Sequence, residues 1–340
     1  MLRTALINIA VLLCCLCAAE LMFGGWVMRT PIEALSIPRD VAIHYDVAVP
    51  NGPEWHSVYR RDHWGLRGDY QKPSDIDLLT IGGSTTDQRL LSDANTWQAV
   101  MAREVENGGA ALVVANAGVD GQSTIGHLKA LETWLKGIPG LRPKIVLAYV
   151  GINDTAVQPD TDYDTMLPQN TWKRLITDRS ALYRLWRTGR GMIAAERYSL
   201  AHDLQAEPDE QWSAASLAPT DEAALAAYAK RLRQLATGIR EWGAVPVFVT
   251  QPARDIRMAG GIVLVRPAGP EPALHGFNRT TLAVCREMAL TCLDLAGALQ
   301  FQRGDFYDTL HYTPQGAARI GRWLGAALLD SGTIPRAAGP

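Results

Sequence analysis

The hydrophobic pattern of this chain alternates between short apolar runs and longer stretches with helical spacing. Runs of strand length occupy 76–81, 110–115, 144–150, 245–250 and 292–295. Helical patterns occupy 96–105, 123–136, 221–242, 277–288 and 313–329, the last with Pro314 in its first turn. Because apolar runs alternate with helices, we predict an α/β fold, a three-layer α/β/α sandwich around a parallel five-stranded sheet.

Three internal stretches and the C-terminal tail at 331–340 lie outside this rhythm. Residues 29–75 are predicted to form an extended approach to the domain, and 156–220 a helical insertion after the third strand. The insertion is rich in Trp, Tyr and Arg, among them Trp172, Tyr183, Trp186, Arg187, Arg190 and Tyr198. It is interpreted as a cap or docking face, or as a segment whose aromatic side chains simply pack on the body. The Gly- and Pro-rich stretch 254–272 is predicted to be an exposed loop.

The N-terminal segment 1–28 is apolar and carries one acidic interruption, Glu20. Two interpretations stay open. A cleaved signal peptide fits the small residues at Cys17-Ala18-Ala19. An uncleaved anchor fits the apolar length, with Arg3 on the cytoplasmic flank. We favour the anchor, and both interpretations place the remaining chain outside the cytoplasm, in the periplasm of a bacterium.

Charge and cysteine content limit the classes of protein to which this chain could belong. With 33 basic and 35 acidic residues the net charge is -2, so the basic excess of a nucleic-acid-binding protein is missing. Cys285 and Cys292 lie seven positions apart, and in an oxidising compartment they are candidates for a disulfide joining a helix to the next strand. The alternative is two buried thiols. Metal-type cysteine spacing is not found, and neither a metal nor an organic cofactor is expected.

Candidate chemistry comes from four short motifs that fall where a parallel sheet places its loops. In chain order they are Gly82-Gly83-Ser84-Thr85, Asn116-Ala117-Gly118-Val119-Asp120-Gly121, Gly151-Ile152-Asn153-Asp154 and Asp308-Thr309-Leu310-His311. Together they supply a serine, candidate oxyanion donors and an Asp-x-x-His pair, which is the equipment for acyl transfer through a serine ester.

The serine and the histidine are expected to act together. A serine hydroxyl is a poor nucleophile at neutral pH, and an imidazole that takes its proton solves that problem. Ser84 is therefore the predicted nucleophile, His311 the base and Asp308 the group that orients the ring, with Asp305 as the alternative partner. Neighbours with expected supporting roles are Asn116 and Asp154, which brace their loops, Tyr307 and Tyr312, which shape the pocket, and His63, a weak site candidate.

The ordered motifs resemble the SGNH (GDSL-like) hydrolase superfamily from about residue 76 to residue 328. This resemblance implies a flavodoxin-like sheet in a hydrolase domain at 76–330. It also implies oxyanion donors at Ser84 N–H, Gly121 N–H and the Asn153 amide. Gly83 stands where the commoner motif has Asp, and it is expected to leave room for the substrate carbonyl. In Gly65-Leu66-Arg67-Gly68, Arg67 is expected to line or brace the substrate site.

The function implied is a membrane-attached serine esterase that acts on an O-acetylated envelope carbohydrate or on a lipid ester. Its partners would be that ester substrate and, through the N-terminal segment, a membrane. Anchored proteins similar to this superfamily also work as O-acetyltransferases, in which a sugar hydroxyl replaces water as the acceptor. A non-catalytic assembly protein that retains the fold is the remaining alternative.

Overall fold

The structure is a computed structural model that describes most of the chain. The described residues are 2–26, 35, 37–50, 52–162, 164, 176, 179–193, 195–200, 212–214, 221–259, 262–266 and 273–336. Its strands are β1 (Val41–Ala48), β2 (Glu54–Arg61), β3 (Leu78–Gly82), β4 (Val114–Asn116), β5 (Ile145–Tyr149), β6 (Glu196–Ser199), β7 (Ser213–Ala214), β8 (Val245–Val249), β9 (Ile256–Ala259), β10 (Ile262–Val265) and β11 (Thr291–Leu293). Its helices are α1 (Leu2–Phe23), α2 (Ser84–Asp87), α3 (Trp97–Asn107), α4 (Thr124–Thr133), α5 (Ala181–Ile193), α6 (Glu222–Glu241), α7 (Ala273–Glu287), α8 (Leu295–Ala298) and α9 (Pro314–Asp330).

The central sheet has five parallel strands in the order β11-β8-β5-β3-β4. Numbered along the chain, this order is 2-1-3-4-5 from its β4 edge, which is the flavodoxin-like arrangement. Both the α/β class and this strand order confirm the prediction. The carboxyl ends of the strands carry the loops that contain the four motifs.

Successive strand residues point to opposite faces of the sheet, and each face is covered by helices. Leu79 and Phe248 pack with α4, α6 and α7, whereas Leu78 and Leu147 pack with α3 and α9. Every residue of β5 is buried. Double coverage explains why these strands appear in the sequence as continuous apolar runs rather than as alternating ones.

Several element boundaries differ from the predicted ones by a few residues. The second strand is shorter than 110–115 and ends later, at Asn116. The helix predicted at 123–136 ends at Thr133 and continues as the 3-10 turn Leu135–Gly137. The last strand stops at Leu293 because the Asp294 side chain accepts a hydrogen bond from Gly297 N and caps α8.

The approach segment predicted at 29–75, of which residues 35, 37–50 and 52–75 are described, contains paired strands. Strands β1 and β2 form an antiparallel hairpin, and β6 of the insertion adds to β1 in parallel. The signal was present, because Val41, Ile43, Tyr45 and Val47 alternate with other residues and point to one face. The hairpin packs in a small core that includes Leu90 and reaches Tyr307 beside the histidine motif.

The insertion at 156–220 is only partly described, and Trp172 lies outside the described residues. Its described elements are one helix, α5, and two strands that join other parts of the chain. β6 pairs with β1, and β7 pairs with β10 of the β9–β10 hairpin. The insertion therefore contains strands as well as a helix, and the stretch predicted as a loop at 254–272 contains a hairpin.

Two further features bear on the sequence predictions. Cys285 of α7 and Cys292 of β11 are joined by a disulfide with their Cα atoms 6.1 Å apart. Helix α1 has 22 residues and none of its side chains is buried. Among the described residues it is the single helix long and apolar enough to cross a membrane, a property that a signal sequence shares.

Candidate active site

The predicted nucleophile, base and acid form one continuous chain of hydrogen bonds. Ser84 is the first residue of α2, directly after the Gly82-Gly83 turn that ends β3. His311 Nε2 lies 2.7 Å from Ser84 Oγ, and His311 Nδ1 lies 2.7 Å from Asp308 Oδ2. The sequence separation between the serine and the histidine is 227 residues. The parallel sheet brings them together because both loops lie at the same edge.

Asp308 is held in a tight turn of the main chain. Its Oδ1 accepts hydrogen bonds from Leu310 N at 2.8 Å and from His311 N at 2.7 Å. Burial raises the pKa of this carboxyl, but the hydrogen bonds and charge of His311 outweigh burial and hold the net pKa below its ordinary value. An ionised Asp308 can accept the Nδ1–H of His311, which leaves Nε2 to accept a proton from Ser84.

The ring of His311 is also supported by Tyr307. The two rings stack with centroids 5.6 Å apart and an interplanar angle of 11°. Tyr307 N donates a hydrogen bond of 3.0 Å to His311 O. Tyr307 therefore fixes the imidazole plane from one side.

Two predicted roles on this loop are corrected. Asp305 is fully buried, and it binds Gln302 N at 2.6 Å and Arg319 Nε at 2.7 Å. It has no contact with the histidine ring and closes the base of the loop instead. Tyr312 does not shape a pocket, because it is buried and its hydroxyl lies 2.7 Å from the Tyr149 hydroxyl in the core.

Two backbone N–H groups near the serine are available to an oxyanion. Within the described residues, neither Ser84 N nor Gly121 N donates a hydrogen bond. Ser84 N belongs to the first turn of α2, where N–H groups have no partner inside the helix. Gly121 has φ of 73°, in the left-handed region that favours glycine, so its residue type is set by the turn.

The side chain of Asn153 lies directly against Gly83. Asn153 Nδ2 donates a hydrogen bond of 2.9 Å to Gln122 O, and the second hydrogen of this amide remains for another acceptor. A Cβ added at Gly83 would lie 2.0 Å from Asn153 Nδ2. A side chain at position 83 would therefore require Asn153 to move. Gly83 faces the Asn153 amide, and its substrate-binding role stays a prediction.

Asp154 and Asn116 brace the turns that follow β5 and β4, as predicted. Asp154 accepts a hydrogen bond of 3.1 Å from Thr124 N at the start of α4, and it forms an ion pair of 3.1 Å with Arg231. Asn116 Nδ2 donates to Thr86 O at 2.6 Å, and its Oδ1 accepts from Gly118 N at 2.8 Å. The loops after β3, β4 and β5 are thereby tied to each other and to the helices behind them.

A buried charge network under the serine turn has no counterpart in the sequence predictions. Arg61, at the end of β2, forms an ion pair of 2.8 Å with Asp87, and the two side chains are 0 % and 2 % exposed. Arg61 also donates to Tyr59 Oη at 2.6 Å and to Gly118 O. The signal that could have found it is the strand period of two, which places Arg61 on the same inward face as Tyr59.

Arg67 belongs to the same network, and its position favours bracing over lining the substrate site. Its side chain is 1 % exposed and forms an ion pair of 2.7 Å with Asp93. It also donates to Asp87 O and, at 2.7 Å, to Leu91 O. With its guanidinium occupied beneath the turn, Arg67 braces the serine turn and is shielded from a substrate. His63 is exposed, pairs with Asp40 at 3.3 Å and lies outside the site.

The sequence over the site matches a known family. Residues 80–319 match the model of the GDSL-like Lipase/Acylhydrolase family. The match covers more than half of the chain and all four motifs, and the chain belongs to this family. It is an ester hydrolase. The match begins after the β1–β2 hairpin, so Arg61 comes from outside the matched region.

Solved structures with a similar course of the chain have low sequence identity. The lipase/acylhydrolase from Enterococcus faecalis is 16% identical, with 78% of this chain and 100% of that chain covered and a TM-score of 0.45. Axe2, an acetylxylan esterase from Geobacillus stearothermophilus, is 14% identical, with 74% and 93% covered and a TM-score of 0.43. A member of the lipolytic protein G-D-S-L family from Veillonella parvula DSM 2008 is 12% identical, with 75% and 98% covered and a TM-score of 0.42. No curated protein matches the chain.

Proposed function

We propose that this ester hydrolase is a serine esterase that removes an acyl group from an envelope carbohydrate or a lipid through an acyl-enzyme on Ser84. The observation that carries the proposal is the hydrogen-bond chain from Asp308 through His311 to Ser84, with both contacts at 2.7 Å. Such a chain combines a nucleophile, a base within reach of its proton and a group that orients the base.

The reaction follows from these positions. As Ser84 Oγ attacks the ester carbonyl, His311 Nε2 takes the hydroxyl proton, and the C–O bond to the alcohol breaks when His311 returns that proton to the leaving oxygen. The negative charge of the tetrahedral intermediate is stabilised by Ser84 N–H, Gly121 N–H and the Asn153 amide. Water then attacks the acyl-enzyme with His311 as base, and the acid is released. One lost oxyanion donor typically costs about 10²–10³ in turnover.

The proposed setting is the outer face of a bacterial inner membrane. Helix α1 would be retained as an anchor, with the hydrolase domain at 76–330 in the periplasm. The Cys285–Cys292 disulfide supports this setting, because disulfides persist in oxidising compartments. The alternative is a periplasmic or secreted chain released by cleavage near Glu20, which membrane fractionation and N-terminal sequencing would distinguish.

The first experiment is labelling with a fluorophosphonate probe, followed by turnover of p-nitrophenyl esters of graded chain length and of acetylated sugars. We expect covalent labelling of the wild-type chain and none of Ser84→Ala. Absence of labelling in a folded wild-type chain would contradict the proposal and favour a non-catalytic assembly protein.

A second experiment separates hydrolysis from transfer. Acetate release is measured from an activated acetyl ester with and without an acceptor glycan. Release that is independent of the glycan supports the esterase. Release that falls as acetylated glycan accumulates would contradict it and favour the O-acetyltransferase.

A further inference from the structure

Helix α5 of the insertion carries an apolar face that points away from the protein. Leu182, Leu185 and Trp186 are spaced i, i+3 and i+4, so they lie on one face of the helix. They are 36%, 71% and 56% exposed. Apolar residues scattered singly over a surface are ordinary, but a contiguous exposed stripe on an amphipathic helix marks an interaction surface.

This apolar face begins at the end of the candidate anchor. Glu20 of α1 accepts hydrogen bonds from Ala181 N at 3.1 Å and from Leu182 N at 3.0 Å, the first turn of α5. Gly25 N donates a hydrogen bond of 2.9 Å to Arg179 O. A carboxylate at a helix N-terminus satisfies N–H groups and complements the helix dipole. The one acidic residue of the apolar segment therefore attaches α5 to α1.

Aromatic rings and arginines meet at this junction. The Arg179 guanidinium lies 5.8 Å from the centre of the Trp26 ring, and the Arg190 guanidinium lies 5.6 Å from that of Trp186. Tyr183 contacts Trp186 with ring centroids 5.6 Å apart. Trp and Tyr are enriched at the level of lipid headgroups, and arginines are attracted to anionic lipids. The junction has the composition of a membrane interface.

We propose that α5 lies in the interface of the bilayer that α1 crosses, with Leu182, Leu185 and Trp186 embedded among the lipids. The proposal rests on the proposed retention of α1 as an anchor. A helix of 22 residues is about 33 Å long, enough to cross the hydrocarbon core and bring Glu20 to the headgroup level on the far side. There α5 extends sideways from its cap on Glu20, as interfacial amphipathic helices do.

A bilayer contact at α5 would orient the active site. Directly after α5, strand β6 pairs with β1, and the β1–β2 hairpin packs against Tyr307, whose ring stacks on His311. With α1 alone, the domain would be attached to the membrane at one point, through the hydrogen bonds that join the end of α1 to α5. With α5 embedded as well, the domain has two points of attachment and one preferred face toward the membrane.

The test uses the full chain reconstituted in vesicles of phosphatidylcholine and phosphatidylglycerol. In a background with Cys14, Cys15 and Cys17 changed to Ser, a nitroxide label is placed at Leu185→Cys. The matched control is Val245→Cys. Val245 is also apolar and 51% exposed, but it begins β8 of the central sheet and belongs to neither α1 nor α5. Electron paramagnetic resonance then measures collision of each label with oxygen and with a water-soluble nickel chelate.

We expect the ratio of oxygen to nickel accessibility to be several-fold higher at position 185 than at position 245. Equal ratios at the two positions, in a chain that floats with the vesicles, would overturn the proposal. Shielding at position 185 that disappears when the protein is diluted with excess lipid would identify a second copy as the occupant and would also overturn it.

The anchor and the active site are checked in the same samples. A chain that fails to float with the vesicles would refute the retained anchor, and the surface proposal would fall with it. Fluorophosphonate labelling of Ser84 reports the esterase proposal separately. Failure of the α5 surface can therefore be told apart from failure of the catalytic assignment.

Discussion

The serine side and the histidine side of this site are built in different ways. The serine side comprises Ser84, Gly121 and Asn153 on three turns after β3, β4 and β5, and the histidine side is the single loop 305–313. Behind the serine side, Asp87 and Asp154 are 2% and 1% exposed and ion-paired to buried or nearly buried arginines. On the histidine side, the side chains of His311 and Asp308 are 28% and 42% exposed.

The difference matches what each side is proposed to do. Backbone N–H groups can hold an oxyanion only if the main chain is fixed, and preorganised donors are effective because they need not reorganise during the reaction. Buried ion pairs and side chain-to-backbone hydrogen bonds fix the three turns. The base must reach a substrate and exchange protons with an alcohol and with water, so it sits on an accessible loop.

The largest effect is expected from variants that remove Ser84 or His311, the two residues through which the sides are hydrogen-bonded. Ser84→Ala and His311→Ala are each expected to lower kcat by about 10⁴–10⁶, because members of a catalytic unit are lost together. The measurement is turnover of an acetyl ester, with circular dichroism to verify folding. The double variant is expected to be no worse than either single one. A folded His311→Ala chain with undiminished turnover would refute the proposed base.

The next largest effect is expected when the His311 ring loses its hydrogen bond to Asp308. Asp308→Ala is expected to lower kcat by about 10²–10⁴, less than loss of the histidine, because Tyr307 still stacks on the ring and the loop keeps part of the orientation. Tyr307→Leu in the same assay measures the stacking contribution. A loss at Asp308 as large as at His311 would mean that the carboxylate alone orients the base.

On the serine side, Asn153→Ala tests the proposed side-chain oxyanion donor. We expect kcat to fall by about 10²–10³ with little change in KM, because this hydrogen bond strengthens mainly in the transition state. The companion variant Gly83→Ala places a methyl group against the same amide, with its Cβ 2.0 Å from Asn153 Nδ2 before any adjustment. It is expected to reproduce the kcat loss through displacement of Asn153. A pure KM effect for Asn153→Ala would assign it to substrate binding instead.

Acid pH is expected to weaken the serine side before the histidine side. His127 of α4, just behind the Gly121 turn, is buried, and burial lowers the pKa of its imidazole to about 4, although Asp164 acts in the opposite direction. The unfolded chain binds this proton at about pH 6.5, so the stability that neutral His127 provides is present above that pH. It is lost as pH falls below that value toward the lowered pKa of folded His127.

The measurement is the free energy of unfolding in urea between pH 7 and pH 4. His127→Gln is expected to flatten this dependence, and hydrogen exchange is expected to rise in α4 before it rises in α9. An identical slope in wild type and variant would show that His127 does not carry the acid sensitivity.

The sequence predicts the sheet and the motif residues of both sides better than the contacts that support them, for physical reasons. The parallel strands are buried on both faces, so they appear as continuous apolar runs, and glycines mark the turns at their ends. Ser84, His311, Asp308, Gly121 and Asn153 could be proposed as site residues because each sits in a short local motif. The support behind them could not, because it is assembled from residues far apart in the chain.

Arg61 is the plainest example of what was missed. Charged residues are rarely buried, so an arginine in a strand is ordinarily expected at the surface. Its partner Asp87 is 26 residues away and lies inside the family match, whereas Arg61 lies before it. Only the folded hairpin shows that the two meet beneath the serine turn. Arg67 is expected from the sequence to line or brace the site, and only its contacts with Asp93, Leu91 O and Asp87 O favour bracing.

The smallest effect is expected from loss of the Cys285–Cys292 disulfide, which lies in the part of the chain that leads into the histidine side. The bond joins α7 to β11, and the chain continues from β11 through α8 into the loop that carries Asp308 and His311. Because the closed loop spans only seven positions, the chain-entropy model gives about 2 kcal/mol of stabilisation. We expect Cys285→Ala with Cys292→Ala to lower the free energy of unfolding by about that amount. Turnover should fall modestly through a looser histidine loop, while Ser84 still reacts with a fluorophosphonate.

The matched control changes Cys14, Cys15 and Cys17 to Ser and is expected to leave stability unchanged, because these thiols lie on α1 outside the folded domain. Thiol titration of denatured, unreduced protein checks the bond itself. Two free thiols at 285 and 292 in periplasmically produced protein would show that the bond does not form and would remove the basis for this prediction.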